Sequence, residues 1–201
     1  MEFSITRSRV SIARLFGLAV MFLMVFTSHS FAQDGVVDLV LEISGLSLLG
    51  TATLGRLWAL MYIAGNKKRV LITTGPFSIM RHPLYFFGLI GGVGIGLASE
   101  NVLVLACIVL FCGLYYPPVI LAEEKKLTTR FGQLYLDYMN RVPRVVPRLS
   151  LYSAPECWEV KMPQFMRSVW DALWFVWVFL LLHTVEALQQ WGVVPILWKL
   201  P

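Results

Sequence analysis

Residues 74–98 read TGPFSIMRHPLYFFGLIGGVGIGLA, and this stretch decides how the chain folds. It passes from a polar turn through Arg81 and His82 into an apolar, glycine-rich run that carries no charge. Pro83 suits the first position of a helix, and the run after it is typical of a helix that lies in lipid. The stretch therefore predicts a membrane helix with a cationic and a titratable side chain at its entrance.

The composition of the whole chain also indicates that the protein lies in lipid. Of the 201 residues, 57% are hydrophobic and 14% are charged, and the mean hydropathy is +0.69. A water-soluble fold would leave too much of this apolar surface exposed. Runs of the length that spans a bilayer occupy 12–32, 37–64, 83–98, 102–122 and 169–188. We predict an all-α, polytopic membrane protein of about five transmembrane helices, in a single domain over residues 1–201.

The placement of charge predicts the orientation of these helices. Asp34, Asp38 and Glu100 lie in loops without Lys or Arg, whereas three other segments are basic. The basic residues are Arg7, Arg9, Arg14; Lys67, Lys68, Arg69, Arg81; and Lys125, Lys126, Arg130, Arg141, Arg144, Arg148. The positive-inside rule places all three basic segments in the cytoplasm, at the inner membrane. The net charge of +5 then follows from topology and requires no nucleic-acid partner.

Residues 1–32 allow two interpretations. They form either the first transmembrane helix or a signal peptide that is cleaved after Ala32, and both leave the later loops in the cytoplasm. Cys107, Cys112 and Cys157 have no disulfide or metal-binding spacing, and we predict no metal site. A further transmembrane helix is expected at residues 163–190, outside every motif described below.

A tight helical hairpin is expected around residues 99–101, a short polar turn between two apolar runs. Within its first helix, Gly88, Gly92 and Gly96 recur at a spacing of four, which favours close helix packing. Gly92 and Gly94 allow a second interpretation, in which the small residues admit a flat ligand.

The entrance of that helix is a candidate anion site. Unpaired amide groups and the positive end of the helix dipole lie next to Arg81 and His82. The alternative is an interfacial loop, in which Arg81 reaches toward water and His82 caps the helix.

The following helix is predicted to be interrupted at Pro117–Pro118, shortly before two adjacent carboxylates, Glu123 and Glu124. Two carboxylates at a membrane boundary need cationic or hydrogen-bonding partners to stay ionised. The alternative is a solvated acidic segment that faces the neighbouring lysines. Residues 127–139 carry apolar side chains at helical spacing, which predicts a cytoplasmic interfacial helix.

Together these motifs, over residues 66–148, resemble the isoprenylcysteine carboxyl methyltransferase family and the related phospholipid N-methyltransferases. The resemblance lies in the order Gly75-Pro76-Phe77, Arg81-His82-Pro83-Leu84-Tyr85, the glycines, Glu123-Glu124, Tyr135 and Arg141-Val142-Pro143-Arg144.

The resemblance implies an enzyme that transfers a methyl group from S-adenosylmethionine to a lipophilic acceptor, a small molecule or a lipid-linked group, at the cytoplasmic membrane face. The cofactor-binding residues that it implies are Arg81, His82, Pro83, Tyr85, Gly92, Gly94, Glu123, Glu124 and Tyr135. For the chemistry, Arg141 or Arg144 would orient an anionic acceptor. Glu124 or Asp137 would accept the proton of an amine acceptor.

Two alternatives from other classes stay open at this point. One is a membrane reductase that resembles the NADPH-dependent sterol reductases, which share a similar hairpin and Arg-His-Pro segment. The other is a membrane scaffold whose glycines pack helices and whose charges only set topology. The sequence does not choose among carboxylate, thiol and amine acceptors, nor does it give the oligomeric state.

Overall fold

The computed structural model describes residues 11–12, 15–24, 35–65 and 69–193, and this part of the chain contains helices and no β-strand. A single 3-10 turn spans Leu149–Leu151. The α-helices are α1 (Leu15–Met24), α2 (Val36–Ile63), α3 (Pro76–Ile79), α4 (Pro83–Ala98), α5 (Val102–Phe131), α6 (Gln133–Arg141) and α7 (Met162–Gln190).

Three of these helices, α2, α5 and α7, are long and apolar enough to cross a membrane. The shorter apolar helices α1 and α4 pack with them. Large apolar side chains such as Leu110, Leu114 and Trp170 face outward, which suits contact with lipid. The predicted all-α polytopic membrane fold is confirmed, while most of residues 1–32, including the predicted cleavage site, lies outside the described residues.

The helix α4 lies at the centre of the bundle and contacts α2, α5 and α7. It begins at Pro83, as predicted, and ends in a tight turn to α5. The Asn101 side chain caps α5 by accepting hydrogen bonds from the backbone of Leu103 at 3.0 Å and Val104 at 3.2 Å. The hairpin expected from the polar turn is therefore confirmed.

The glycines of α4 allow this central position. A Cβ atom on Gly92 would lie 2.9 Å from Ile108, and one on Gly96 would lie 2.8 Å from the backbone of Leu105. The stripe of Gly88, Gly92 and Gly96 therefore faces α5, and its predicted packing role is confirmed.

Two predicted boundaries are wrong. The helix α5 continues through Pro117–Pro118 to Phe131. The two adjacent prolines remove backbone N–H donors from only one turn, and a helix in a membrane keeps its other backbone hydrogen bonds. The single helix expected at 127–139 is divided by Gly132, whose φ of 55° is suited to glycine. The tyrosines of α6, Tyr135 and Tyr138, are buried against protein rather than at a lipid interface.

We expect Gly45→Ala to destabilise the protein. The added Cβ would lie 2.7 Å from the backbone nitrogen of Ala98 and 2.9 Å from the carbonyl oxygen of Gly94, so α2 and α4 must separate. Overpacking of this kind costs roughly 1–3 kcal/mol. Thermal unfolding of the detergent-solubilised protein measures the effect.

The matched control is Gly50→Ala, in the same helix, where nothing lies within 4 Å of the added atom. This variant should leave the midpoint temperature of unfolding unchanged or raise it, because alanine has a higher helix propensity than glycine. Equal midpoints for the two variants would contradict the close contact of α2 and α4.

Candidate functional site

The segment before α4 is held by a distant part of the chain, residues 142–153, which we call the strap. The backbone N–H of Arg81 donates to the carbonyl of Pro143 at 2.8 Å, and that of His82 donates to Arg144 at 3.1 Å. The strap in turn donates from Arg148 to Ile79 at 2.9 Å. Two motifs that are about sixty residues apart in sequence are thus paired through their backbones.

Helix α6 fixes the same segment from a second side. The Tyr138 hydroxyl donates to the carbonyl of Phe77 at 2.7 Å, and Nη1 of Arg81 donates to the carbonyl of Met139 at 3.1 Å. Gly75 starts the segment with a φ of 61°, and a Cβ there would overlap the ring of Tyr62. The entrance of α4 is therefore a constrained structure and not a free interfacial loop.

Three cationic or titratable side chains converge on the buried carboxylate of Glu124. Nη2 of Arg81 lies 3.0 Å from Oε1, and Nε2 of His82 lies 3.3 Å from the same oxygen. Arg144 binds both oxygens, through Nε at 3.1 Å and Nη2 at 2.9 Å. We call these four residues the Glu124 cluster.

The geometry of the Glu124 cluster excludes two alternatives from the sequence. The Glu124 residue is 4% exposed, so it is not part of a solvated acidic segment. The Arg81 side chain is 8% exposed, so it does not reach into bulk water. Two guanidinium groups hold the carboxylate of Glu124 ionised, which disfavours its predicted role as a proton acceptor.

The neighbouring carboxylate, Glu123, has a different environment. Consecutive residues of an α-helix point about 100° apart, so the Glu123 side chain leaves α5 in a different direction from that of Glu124. It accepts a hydrogen bond from the Tyr85 hydroxyl at 2.8 Å. The adjacent acidic residues therefore divide between a buried ionic cluster and the wall of a cavity.

That cavity, which we call the polar cavity, has a volume of about 120 Å³. The sequence-predicted residues in its lining are Arg81, His82, Pro83, Tyr85, Glu123 and Tyr135. The remaining lining is mostly apolar and includes Leu71, Phe77 and Leu127. Six of the residues expected to bind a cofactor thus meet around one space.

Sequence reasoning missed the loop before α3, where Val70, Leu71 and Ile72 form part of the lining. These residues belong to no motif, and they lie outside the apolar runs that the sequence analysis identified. The sequence feature that could have indicated their role is that three apolar residues directly follow a basic segment.

Tyr135 is the polar side chain in this lining that most clearly suits a ligand. The residue is 1% exposed, and its hydroxyl has no hydrogen-bond partner. Burial, and secondly the charge of Glu124, raises the pKa of this phenol to about 12, so the group stays neutral and can donate. A buried hydroxyl without a partner costs roughly 1–3 kcal/mol, which an acceptor atom on a bound molecule would recover.

His82 is neutral in this environment. Burial lowers its pKa below the ordinary 6.5, although the carboxylates of Glu123 and Glu124 act in the opposite direction. Its Nε2 then carries the proton that is donated to Glu124, which leaves Nδ1 as an acceptor.

Five predicted site residues lie outside the lining of the polar cavity, and one of them, Glu124, forms the buried cluster described above. Arg144 is committed to Glu124, and Arg141 is on the exposed surface of α6, where its Nε donates to the carbonyl of Asp137 at 3.3 Å. Gly92 lines a second cavity, and Gly94 packs against α2. The structure therefore does not bring the glycines together with the other residues expected to bind a cofactor.

The comparisons with known proteins follow the same block of motifs. Residues 36–134 match the family model described as phospholipid methyltransferase. Protein-S-isoprenylcysteine O-methyltransferase B of Arabidopsis thaliana is 34% identical over 88 residues, which are 44% of this chain and 45% of that protein.

Two bacterial relatives match almost the whole chain. Nickel-cobalt-cadmium resistance protein NccN of Alcaligenes xylosoxydans xylosoxydans is 34% identical over 98% of this chain and 92% of its own length. Cobalt-zinc-cadmium resistance protein CzcN of Cupriavidus metallidurans is 34% identical over 94% of this chain and 87% of its own length. No solved structure matches the chain at a significant level.

We expect Arg81→Met to destabilise the fold strongly. The change leaves the buried Glu124 carboxylate without one of its two guanidinium partners, and breaking a buried ion pair from one side costs roughly 3–5 kcal/mol. Thermal or denaturant unfolding in detergent measures the loss. Arg141→Met, at an exposed position of α6, is the control and should change little. Similar losses for both variants would show that the Glu124 cluster does not hold the fold.

We also expect acid to destabilise the protein through His82. Because the pKa of folded His82 is lowered, protons bind the unfolded chain first as the pH falls below 6.5, and the folded state loses stability. The His82→Gln variant can still donate to Glu124 but does not titrate. Unfolding midpoints at several pH values should therefore fall less steeply for His82→Gln than for the wild type below pH 6.5. Parallel curves would refute a neutral, buried His82.

Proposed function

The chain belongs to the membrane methyltransferase family that includes the phospholipid and isoprenylcysteine methyltransferases, and we propose that it transfers a methyl group from S-adenosylmethionine to a lipophilic acceptor. The observation that carries the cofactor proposal is the polar cavity. It combines a carboxylate, an arginine, aromatic faces and the unpartnered hydroxyl of Tyr135 in one buried space.

S-adenosylmethionine supplies a methyl group on a sulfonium cation and carries an amino acid end with both charges. In the polar cavity, Glu123 and the aromatic faces of Tyr85 and Phe77 favour a cation. Arg81 favours a carboxylate, and Tyr135 supplies a hydrogen-bond donor without a protein acceptor. The lining thus contains complementary groups for the sulfonium, the amino group and the carboxylate of such a molecule.

The Glu124 cluster acts as positioning machinery in this proposal. It fixes Arg81 and His82 at the entrance of α4, and the strap pairs with the same residues from outside. Methyl transfer depends chiefly on alignment of the reacting atoms and exclusion of water. We assign Arg144 to this positioning role, while a contact between Arg141 and an anionic acceptor stays a prediction.

We propose that the site faces the cytoplasm. The basic residues Arg69, Lys125, Lys126 and Arg148 lie at the same ends of α2, α4 and α5 as the polar cavity, which agrees with the positive-inside rule. The acceptor enters from the bilayer, because the helices that surround the site are apolar on their outer faces.

We further propose that the chain serves metal resistance as a modifying enzyme. NccN and CzcN are named for resistance to metal ions and are similar over nearly the whole chain. Within residues 11–12, 15–24, 35–65 and 69–193, no group of three or more His, Cys, Asp or Glu side chains is placed to hold a metal. We propose that the contribution to resistance is chemical modification of a lipophilic molecule, because the chain is similar to membrane methyltransferases.

The cofactor proposal is tested by calorimetry of S-adenosylmethionine binding to the purified, detergent-solubilised protein. We expect wild type to bind and Tyr135→Phe to bind roughly tenfold more weakly, since a hydrogen bond in a buried site is lost. The double variant His82→Ala, Glu123→Ala should show no binding. Glu156→Gln, at an exposed position of the segment before α7, is the control and should match the wild type.

Two results would overturn the cofactor proposal. One is a well-folded wild type that does not bind S-adenosylmethionine, and binding of NADPH by the same sample would favour a reductase. The other is unchanged affinity in the double variant, which would place the binding site elsewhere.

A further inference from the structure

A second cavity, the apolar cavity, lies deeper among the membrane helices and has a volume of about 200 Å³. Residues from α1, α2, α4, α5 and α7 line it, among them Phe16, Val20, Gly92, Ile108 and Trp174. Its walls are mostly hydrocarbon and aromatic, which suits an alkyl chain. None of the cofactor chemistry described above uses this space.

One lining residue, Arg56 of α2, is charged. Its Nη1 donates to the carbonyl of Leu84 at 3.5 Å, and its guanidinium carbon lies 5.6 Å from the centre of the Phe175 ring. A cation within a membrane helix is costly, and such residues commonly mark a ligand or ion path. Arg56 therefore gives the apolar cavity one end that favours an anion.

The two cavities adjoin at this end. Leu84, whose carbonyl accepts from Arg56, lines the polar cavity. Tyr85 of the polar cavity and Tyr116 of the apolar cavity meet edge to face, with ring centroids 5.3 Å apart. The pair of tyrosine rings is thus the partition between the proposed cofactor space and the hydrocarbon space.

We propose that the apolar cavity binds a single-chain amphiphile whose anionic oxygen group, a carboxylate or a phosphate, lies at Arg56. Its hydrocarbon chain lies along the aromatic and aliphatic walls. A cationic amine head would be repelled by Arg56, and a neutral head would gain no charge-assisted hydrogen bond there. The inference rests on the proposed function for the ligand's role as methyl acceptor, but its binding can be measured with no methyl donor present.

The test uses Trp174 as a reporter, because this residue lines the apolar cavity. The protein is reconstituted in phosphatidylcholine nanodiscs at alkaline pH, where a membrane-bound fatty acid is ionised. Dibromostearic acid, which quenches tryptophan on contact, is added as a rising mole fraction of the lipid. We expect saturable quenching of the wild type, and we expect Trp174→Phe to lose it. The methyl ester of the same acid should bind at least roughly tenfold more weakly than the acid.

Variants at two positions test separately the charge of Arg56 and the volume of the apolar cavity. Arg56→Met should abolish the preference for acid over ester, and Arg56→Lys should retain it. Gly17→Leu should block saturable quenching by filling the apolar cavity, because nothing lies within 4 Å of a Cβ at Gly17. Gly113→Leu on the exposed face of α5 is the matched control and should quench like the wild type.

Displacement of the bound acid by unbrominated oleic acid or by lysophosphatidic acid identifies the preferred anionic group, carboxylate or phosphate. Equal quenching by acid and ester, or an unaltered preference in Arg56→Met, overturns the proposal. If Arg56→Met does not fold, Gly17→Leu decides, since full saturable quenching in that variant would place the amphiphile outside the apolar cavity. Failure to bind S-adenosylmethionine would be a separate result, because the quenching assay contains none.

Discussion

The buried carboxylate of Glu124 is the interaction on which the arrangement of this protein most depends. It joins three parts of the chain that are far apart in sequence: the entrance of α4, the body of α5 and the strap. An unpaired carboxylate at 4% exposure would be very unfavourable, so Glu124 requires Arg81 and Arg144 together with the segments that carry them. A local motif, Arg-His-Pro, is thereby fixed in space by residues that follow it by forty to sixty positions.

The close packing of α4 makes this ionic arrangement compatible with a membrane. Because Gly45 and Gly94 bring α2 and α4 almost into backbone contact, the entrance of α4 is held at a fixed height relative to α2. The Glu124 cluster then lies at the end of the bundle and not within its apolar middle. Helix packing and electrostatics therefore depend on each other: the first sets where the charges lie, and the second holds the polar segment against the helices.

The sequence predicted what is local and periodic. Three local predictions are confirmed: Pro83 as the first residue of α4, the turn at Asn101 and the packing of the glycine stripe. Each depends only on residues that are close together in the sequence. The need of Glu123 and Glu124 for partners was also foreseen, but their identity was not, since Arg144 reaches Glu124 only because the strap pairs with residues 79–82. The break at Gly132 was missed because apolar spacing continued across it, and backbone conformation rather than side-chain pattern ended the helix.

The glycines of α4 show why the sequence could not separate packing from ligand binding. Gly88 and Gly92 face α5, and both also line the apolar cavity beside Tyr116 and Ile108. A larger residue at Gly88 would push against Tyr116 of α5 and would also approach Nη1 of Arg56, and one at Gly92 would push against Ile108. The lack of a side chain at these glycines thus allows close packing against α5 and also leaves cavity space, on one surface of α4. Only the three-dimensional position of Arg56, from a different helix, distinguishes a ligand cavity from a packing defect.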